Sequence, residues 1–176
     1  LRGDERFSKF DLGLYPDLPD ENGNNPRECM AIIRDFCEAY ARRFDGRGPN
    51  LAFSGGPGLG KTFLSACIAK VVSENGWSVA YDSAAACLGA FEKERFSRDP
   101  EEKSAAGATV RQYLSCDLMI LDDLGTEMNT PAAQSALYTL VNSRLTAGKQ
   151  TIISTNLSER ELEQQYSPQI ASRLLG

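Results

Sequence analysis

The stretch Gly55, Gly56, Pro57, Gly58, Leu59, Gly60, Lys61 and Thr62 constrains the fold of this chain more than any other. It fits G-x-x-x-x-G-K-[ST], the pattern of a phosphate-binding loop. The pattern carries meaning only between a strand and a helix, and both flanks agree. The apolar run Leu51-Ala52-Phe53 comes before it, and Leu64, Cys67, Ile68, Val71 and Val72 follow at helical spacing. Glycine at four of six successive positions opens backbone conformations closed to residues with a Cβ. Successive N–H groups can then converge on phosphate oxygens, aided by the positive end of the next helix. Lys61 would reach the β- and γ-phosphates as a point charge, and the Thr62 hydroxyl would ligate Mg2+. Phe63 completes the expected nucleotide-binding set. A glycine-rich turn that binds nothing is the bland alternative, and the matched flanks weigh against it. A nucleoside triphosphate is the expected ligand.

A second motif lies about 60 residues further on. The stretch from Asp117 to Leu121 reads as a strand whose residues Leu118 to Leu121 are apolar on both faces, as in a parallel strand buried between helices. It runs into Asp122 and Asp123. Such a strand delivers its carboxylates at the C-terminal edge of the sheet, where open α/β sheets bind ligands. Asp122 is expected to hold Mg2+, and Asp123 to orient or deprotonate the attacking water. Paired acids in a loop are common; paired acids at this distance from a phosphate loop are a specific signal.

The remaining segments fit around these two. Phe7, Phe10, Leu12 and Tyr15 mark an aromatic arm, and a turn-rich loop completes residues 1–25. Packing of the rings on the domain is the plain reading of that arm. Residues 26–176 form the core. Asn25, Pro26 and Glu28 open a helix with an apolar stripe of Met30, Ile33, Cys37, Tyr40, Ala41 and Phe44. Trp77 to Tyr81 reads as a strand, Ser83 to Phe96 as a helix, and Lys93 to Lys103 as a mixed-charge solvated stretch. Ala108 to Ser115 reads as a short helix. Thr130 and Pro131 open another, with Ala133, Leu137, Leu140, Val141, Arg144 and Leu145 on one face. The strand Thr151 to Thr155 runs straight into Asn156, which either hydrogen-bonds a γ-phosphate or lytic water or caps the helix that begins near Ser158. A short helix, Gln169 to Leu174, carries Arg173. Strands alternating with helices predict a parallel sheet with helices on both faces.

Composition excludes several function classes. The chain has no histidine, which removes a histidine base and a histidine-ligated metal. A net charge of −5 confines any nucleic-acid contact to a local patch. Five cysteines without a C-x-x-C pair point to reduced, mostly buried thiols and an expected cytoplasmic location. No apolar run approaches the roughly 20 residues of a membrane span. The first residue is Leu1, so a longer parent protein is expected.

The segments "GGPGLGKT", "LMILDDLGTE", "TIISTN" and "ASRLL" together resemble AAA+ ATPases of the P-loop NTPase class. More narrowly they resemble the bacterial replicative helicase loaders (the DnaC/DnaI group) and the related IstB-type transposition helper ATPases. The "RFSKFDLGLYPD" arm and "YARRF" are similar to the loader group, and the likeness runs from about Phe7 to Leu175. The resemblance implies ATP and Mg2+ as cofactors and ATP hydrolysis as the reaction. It also implies single-stranded DNA, a replicative hexameric helicase or a transposase as partners, and a homo-oligomer joined through the nucleotide site. It makes Asn156 the sensor residue, Arg173 the arginine finger offered to a neighbouring subunit, and Phe10 to Leu12 the residues beside the adenine. Asp123 stands where many AAA+ proteins carry Glu. The family's C-terminal lid with its last strand, and its N-terminal helicase-gripping domain, are expected to be missing, so hydrolysis by this stretch alone is expected to be weak. A nucleotide-dependent binding module with little turnover is the competing reading. GTP is disfavoured because no N-K-x-D motif follows the paired acids.

Overall fold

The computed structural model of the chain describes residues 3–175; Leu1, Arg2 and Gly176, the outermost positions of the expected segments 1–25 and 26–176, lie outside them. Four strands, β1 (Leu51–Ser54), β2 (Val79–Ser83), β3 (Leu118–Leu124) and β4 (Gln150–Thr155), form one sheet in the order β1-β4-β3-β2. Every neighbouring pair runs parallel. Parallel neighbours need long crossovers, and helices supply them. α2 (Lys61–Glu74) follows β1, α3 (Ala84–Phe96) and α4 (Pro100–Ser115) follow β2, and α5 (Pro131–Thr146) follows β3. α1 (Pro26–Arg42) precedes the sheet, and α6 (Glu159–Gln165) and α7 (Pro168–Leu175) come after it. The expected α/β architecture, a parallel sheet with helices on both faces, is observed.

Alternation along the two central strands divides the interior. Leu118, Ile120 and Ile152 join Cys37, Ala41, Leu64 and Ile68 of α1 and α2 in one core. Met119, Leu121 and Ile153 join Leu88, Leu137, Leu140 and Ile170 of α3, α5 and α7 in the other. None of these six strand residues is more than 4% exposed. Full burial of each such side chain contributes roughly 1.5–3 kcal/mol. That packing holds the ends of β3 and β4 rigidly where the loops need them. Phe7 and Phe10 of the arm are buried in the first core, so the arm packs on the domain.

Helix starts follow cap chemistry. The Asn25 side chain accepts the N–H groups of Arg27 and Glu28 at 3.0 and 3.3 Å. Ser83, Asp99, Thr130 and Ser158 cap α3, α4, α5 and α6 in the same way. Each cap contributes about 1 kcal/mol. Asp99 and Pro100 thereby start α4 inside the charged stretch, well before the expected Ala108. Ser158 forms a capping box with Glu161, which takes the capping role away from Asn156.

Other details differ from the expected pattern. β2 begins at Val79, because Trp77 packs edge-on against Phe44 at 5.4 Å instead of joining the sheet. Ile33 and Leu145, expected on buried stripes, are exposed. Arg144 beside Leu145 is wholly buried. Its guanidinium donates to the carbonyls of Tyr113, Cys116 and Gln150 and to the Thr151 hydroxyl, so it satisfies backbone at the N-terminal edge of the sheet that would otherwise be buried unpaired.

Candidate nucleotide site

At the opposite, C-terminal edge of the sheet, an open cavity of about 800 Å³ lies between the loop after β1 and the ends of β3 and β4. That size suits a small-molecule ligand. Pro57, Gly58, Leu59, Gly60, Lys61, Thr62, Phe63, Asp123 and Asn156 line it, together with Asp4, Glu5 and Lys9 of the arm. Gly55, Gly58 and Gly60 have φ values of 137°, 79° and 84°, which side chains disfavour. Gly60 is the N-cap of α2, so the unpaired N–H groups of the first helical turn open towards the cavity edge. Lys61 Nζ donates to the carbonyls of Gly55 and Gly56, both at 2.7 Å, and to Asn156 Oδ1 at 2.8 Å. The loop lysine and the residue at the tip of β4 are thus in direct contact.

The paired acids sit on a β-bulge. β3 and β4 pair Leu121 with Ile153 and Leu124 with Thr155, so Asp122 and Asp123 together oppose Ser154. Asp123 has φ 56°, the only positive value at a non-glycine residue among the described residues. Aspartate is one of the few side chains that tolerate this left-handed conformation. In a regular strand the two carboxylates would face opposite sides of the sheet. Here Asp122 is 7% exposed, and Asp123 is exposed at the cavity wall.

Three hydroxyls surround the Asp122 carboxylate. Thr62 donates to Oδ1 at 3.2 Å, Ser154 also donates to Oδ1, and Tyr81 donates to Oδ2 at 2.7 Å. Ser154 Oγ in turn accepts the Asp123 backbone N–H at 3.0 Å. Burial, and then the bond to Asp122, push the Tyr81 phenol above its ordinary range, so it remains a donor. Thr62 and Asp122 therefore offer two hard oxygen donors side by side. Among the described residues no group of three or more His, Cys, Asp or Glu side chains is arranged to hold a metal. The donor set fits Mg2+, which takes one or two protein oxygens and completes its shell from phosphate and water.

Gly55, Gly56 and Asp122 stand just behind the cavity wall, and two expected residues of the arm also lie off it. Phe10 packs its ring behind Gly60 and stacks on Tyr15 at 5.8 Å, and Leu12 is half-buried in the same cluster. Asp4, Glu5 and Lys9 are the arm residues on the wall, and Phe10 is drawn into the core. Arg173 also stands apart. Its Nε donates to Asn142 at 3.0 Å, Nη1 donates to the Gln169 carbonyl at 3.0 Å, and the guanidinium lies 5.1 Å from the centre of the Tyr138 ring. Sequence reasoning missed Tyr81, Ser154 and the arm's polar residues. Ser154 was within reach, since it lies on β4 two positions before Asn156. Tyr81, Asp4 and Glu5 belong to no motif. A second groove of about 330 Å³, between Phe91, Arg95 and Phe96 of α3 and Ala132, Ser135 and Ala136 of α5, contains none of the expected site residues.

Known proteins fall in with this geometry. Residues 38–175 match the family described as IstB-like ATP binding protein. The replicative helicase loader DnaC of Escherichia coli (strain K12) is 25% identical over 153 residues, covering 84% of this chain and 59% of DnaC. An ATP-binding protein in an insertion sequence of Mycobacterium tuberculosis is 25% identical over 150 residues, covering 85% of this chain and 52% of that protein. The chain spans about half the length of the curated relatives it matches. A crystal structure of the DnaC helicase loader superposes with a TM-score of 0.73 at 20% identity, over 96% of this chain and 93% of that one. Identity that low speaks to fold alone. The fold is that of AAA+ P-loop ATPase domains, and the chain belongs to the family of IstB-like ATP-binding proteins.

Proposed function

We propose that the chain is the ATP-binding and ATP-hydrolysing part of a helicase loader for DNA replication, working as an oligomer with single-stranded DNA and a hexameric replicative helicase. The contact of Lys61 with Asn156, beside that of Thr62 with Asp122, carries the reading. It gathers around one cavity the residue types that phosphoryl transfer to water needs. The loop N–H groups and Lys61 bind the triphosphate. Thr62 and Asp122 would hold Mg2+, which when bound neutralises phosphate charge. Asp123, exposed on the bulge, orients the attacking water and accepts its proton. Asn156 hydrogen-bonds the γ-phosphate or that water. Phe10 and Leu12 serve the base end from behind, Phe10 by backing Gly60. Arg173, held by Asn142 and Tyr138 away from its own cavity, serves the nucleotide of a neighbouring subunit, where its planar cation offsets charge on the transferred group.

A second reading, a helper ATPase for a transposase, draws support from the family match and from the insertion-sequence relative. The deciding experiment uses the full-length protein: steady-state ATP hydrolysis with and without single-stranded DNA, and a pull-down from its host. DNA-stimulated turnover that is lost in Lys61→Ala, with a hexameric helicase in the pull-down, is expected. Recovery of a transposase favours the second reading, and nucleotide binding without turnover at any DNA concentration refutes both ATPase readings.

A further inference from the structure

We infer that Tyr81 and Ser154 are positioning residues that fix the Asp122 carboxylate from both sides and thereby set the metal affinity of the site. The inference rests on the Mg2+–nucleotide reading above and adds residues to it. β3, which carries Asp122, lies between β2 and β4, and each neighbour contributes one hydroxyl. Tyr81 comes from β2, where the strands pair Tyr81 with Ile120 and Ser83 with Asp122. Ser154 comes from β4, opposite the bulge. With Asp122 only 7% exposed, its charge is kept out of bulk water and must be satisfied locally. The terminal torsion of an aspartate is broad and nearly two-fold, so an unheld carboxylate would swing. Tyr81 at 2.7 Å holds Oδ2, which leaves Oδ1 facing the Thr62 hydroxyl at 3.2 Å. Ser154 does two jobs with one hydroxyl: it donates to Asp122 Oδ1 and accepts the N–H of Asp123. The metal acid is thus tied to the turned backbone that presents the second acid. Partners of this kind, bonded to a metal ligand but not to the metal, typically change metal affinity by 10–100-fold when removed.

The test compares the parent with Tyr81→Phe, which removes one oxygen at unchanged shape, and with Ser154→Ala. Calorimetry gives the affinity for the non-hydrolysable analogue AMPPCP in excess Mg2+ and in EDTA, so turnover plays no part. The expected result is metal-free affinity within about twofold of the parent in both variants, with the gain from Mg2+ reduced about tenfold. The midpoint of urea unfolding should fall in Tyr81→Phe, which leaves Asp122 Oδ2 without its hydroxyl, while the variant stays fully folded at the assay temperature. An undiminished Mg2+ gain in both variants overturns the inference. Equal losses with and without Mg2+ also overturn it, because they mark a role in folding alone. A parent chain with no Mg2+ gain refutes the underlying metal reading instead, and this inference with it.

Discussion

Changing each paired acid to its amide should separate two roles that look identical in sequence. Asp122→Asn alters a buried group whose two oxygens accept three hydroxyl hydrogens. The amide keeps one oxygen and turns the other into a donor. Setting the NH2 at Oδ1 would confront Thr62 and Ser154 together, so it is expected at Oδ2, facing Tyr81. The Tyr81 oxygen can accept from that NH2, but its own hydrogen then has only the Thr62 carbonyl nearby, at 3.5 Å, a poor replacement. Losing one bond to a charged acceptor costs roughly 1.5–3 kcal/mol, and relief of the buried charge returns part of it. A net destabilisation of about 1–2 kcal/mol is expected, together with loss of metal-dependent nucleotide binding. Asp123→Asn differs on every count. The residue is exposed and left-handed, and asparagine occupies that region as readily as aspartate. Stability should stay within about 0.5 kcal/mol and nucleotide binding should persist. Turnover should fall by roughly 10²–10⁴, the usual contribution of a general base. Urea unfolding, calorimetry and phosphate release measure the three quantities on one preparation. Equal loss of nucleotide affinity in both variants, or an Asp122→Asn protein as stable as its parent, would refute this division.

Three further outcomes follow from local geometry. Gly60→Ala puts a Cβ 2.9 Å from Phe10 and 3.0 Å from the Tyr15 hydroxyl at φ 84°, so urea unfolding should show a loss of roughly 1–3 kcal/mol. Hydrogen bonds from Lys149, and next from Ser78, hold the Asp117 carboxyl down at about 2 against an ordinary 3.8. That depressed value contributes stability above about pH 4 which is lost as the pH falls towards 2, and Asp117→Asn should flatten this acid limb in unfolding curves. Cys29 is exposed whereas Cys37, Cys67, Cys87 and Cys116 are buried, and burial pushes the thiols of Cys37, Cys67 and Cys87 up to about 12. A thiol-specific disulfide reagent should therefore titrate one fast thiol under native conditions and five after denaturation.

What could be read without coordinates was whatever depends on contiguous residues. The phosphate loop, the caps at Asn25 and Thr130 and the apolar run Leu118 to Leu121 of β3 are local patterns, and each appears where its chemistry puts it. The residues that escaped are defined by register between strands. Tyr81 and Ser154 reach Asp122 only because β2 and β4 flank β3 at a particular offset. No spacing along the chain encodes that offset. Arg144 and Leu145 share one face in the sequence pattern, but the place of Arg144 at the base of β3 and β4, where carbonyls need donors, makes it the buried residue and Leu145 the exposed one. Phe10 packs into the core beneath Gly60, as the plain reading of the aromatic arm expects, and its adenine-side role rests on the resemblance.

The bulge also bears on the aspartate at 123, where many of the AAA+ proteins that the sequence resembles carry glutamate. On a flat strand the shorter acid would lose reach. With two residues of β3 opposite Ser154, the backbone itself turns towards the cavity and carries the carboxylate with it. The turn demands a positive φ, which costs most side chains about 1–2 kcal/mol and aspartate less. The bond from the Asp123 N–H to Ser154 secures the turned peptide at 3.0 Å. Side-chain length and backbone conformation are therefore coupled at this position: the conformation that makes up the missing methylene is also one that favours aspartate over glutamate. The same serine hydroxyl bonds Asp122, so the geometry of the proposed lytic acid and that of the proposed metal ligand are set by one residue on β4.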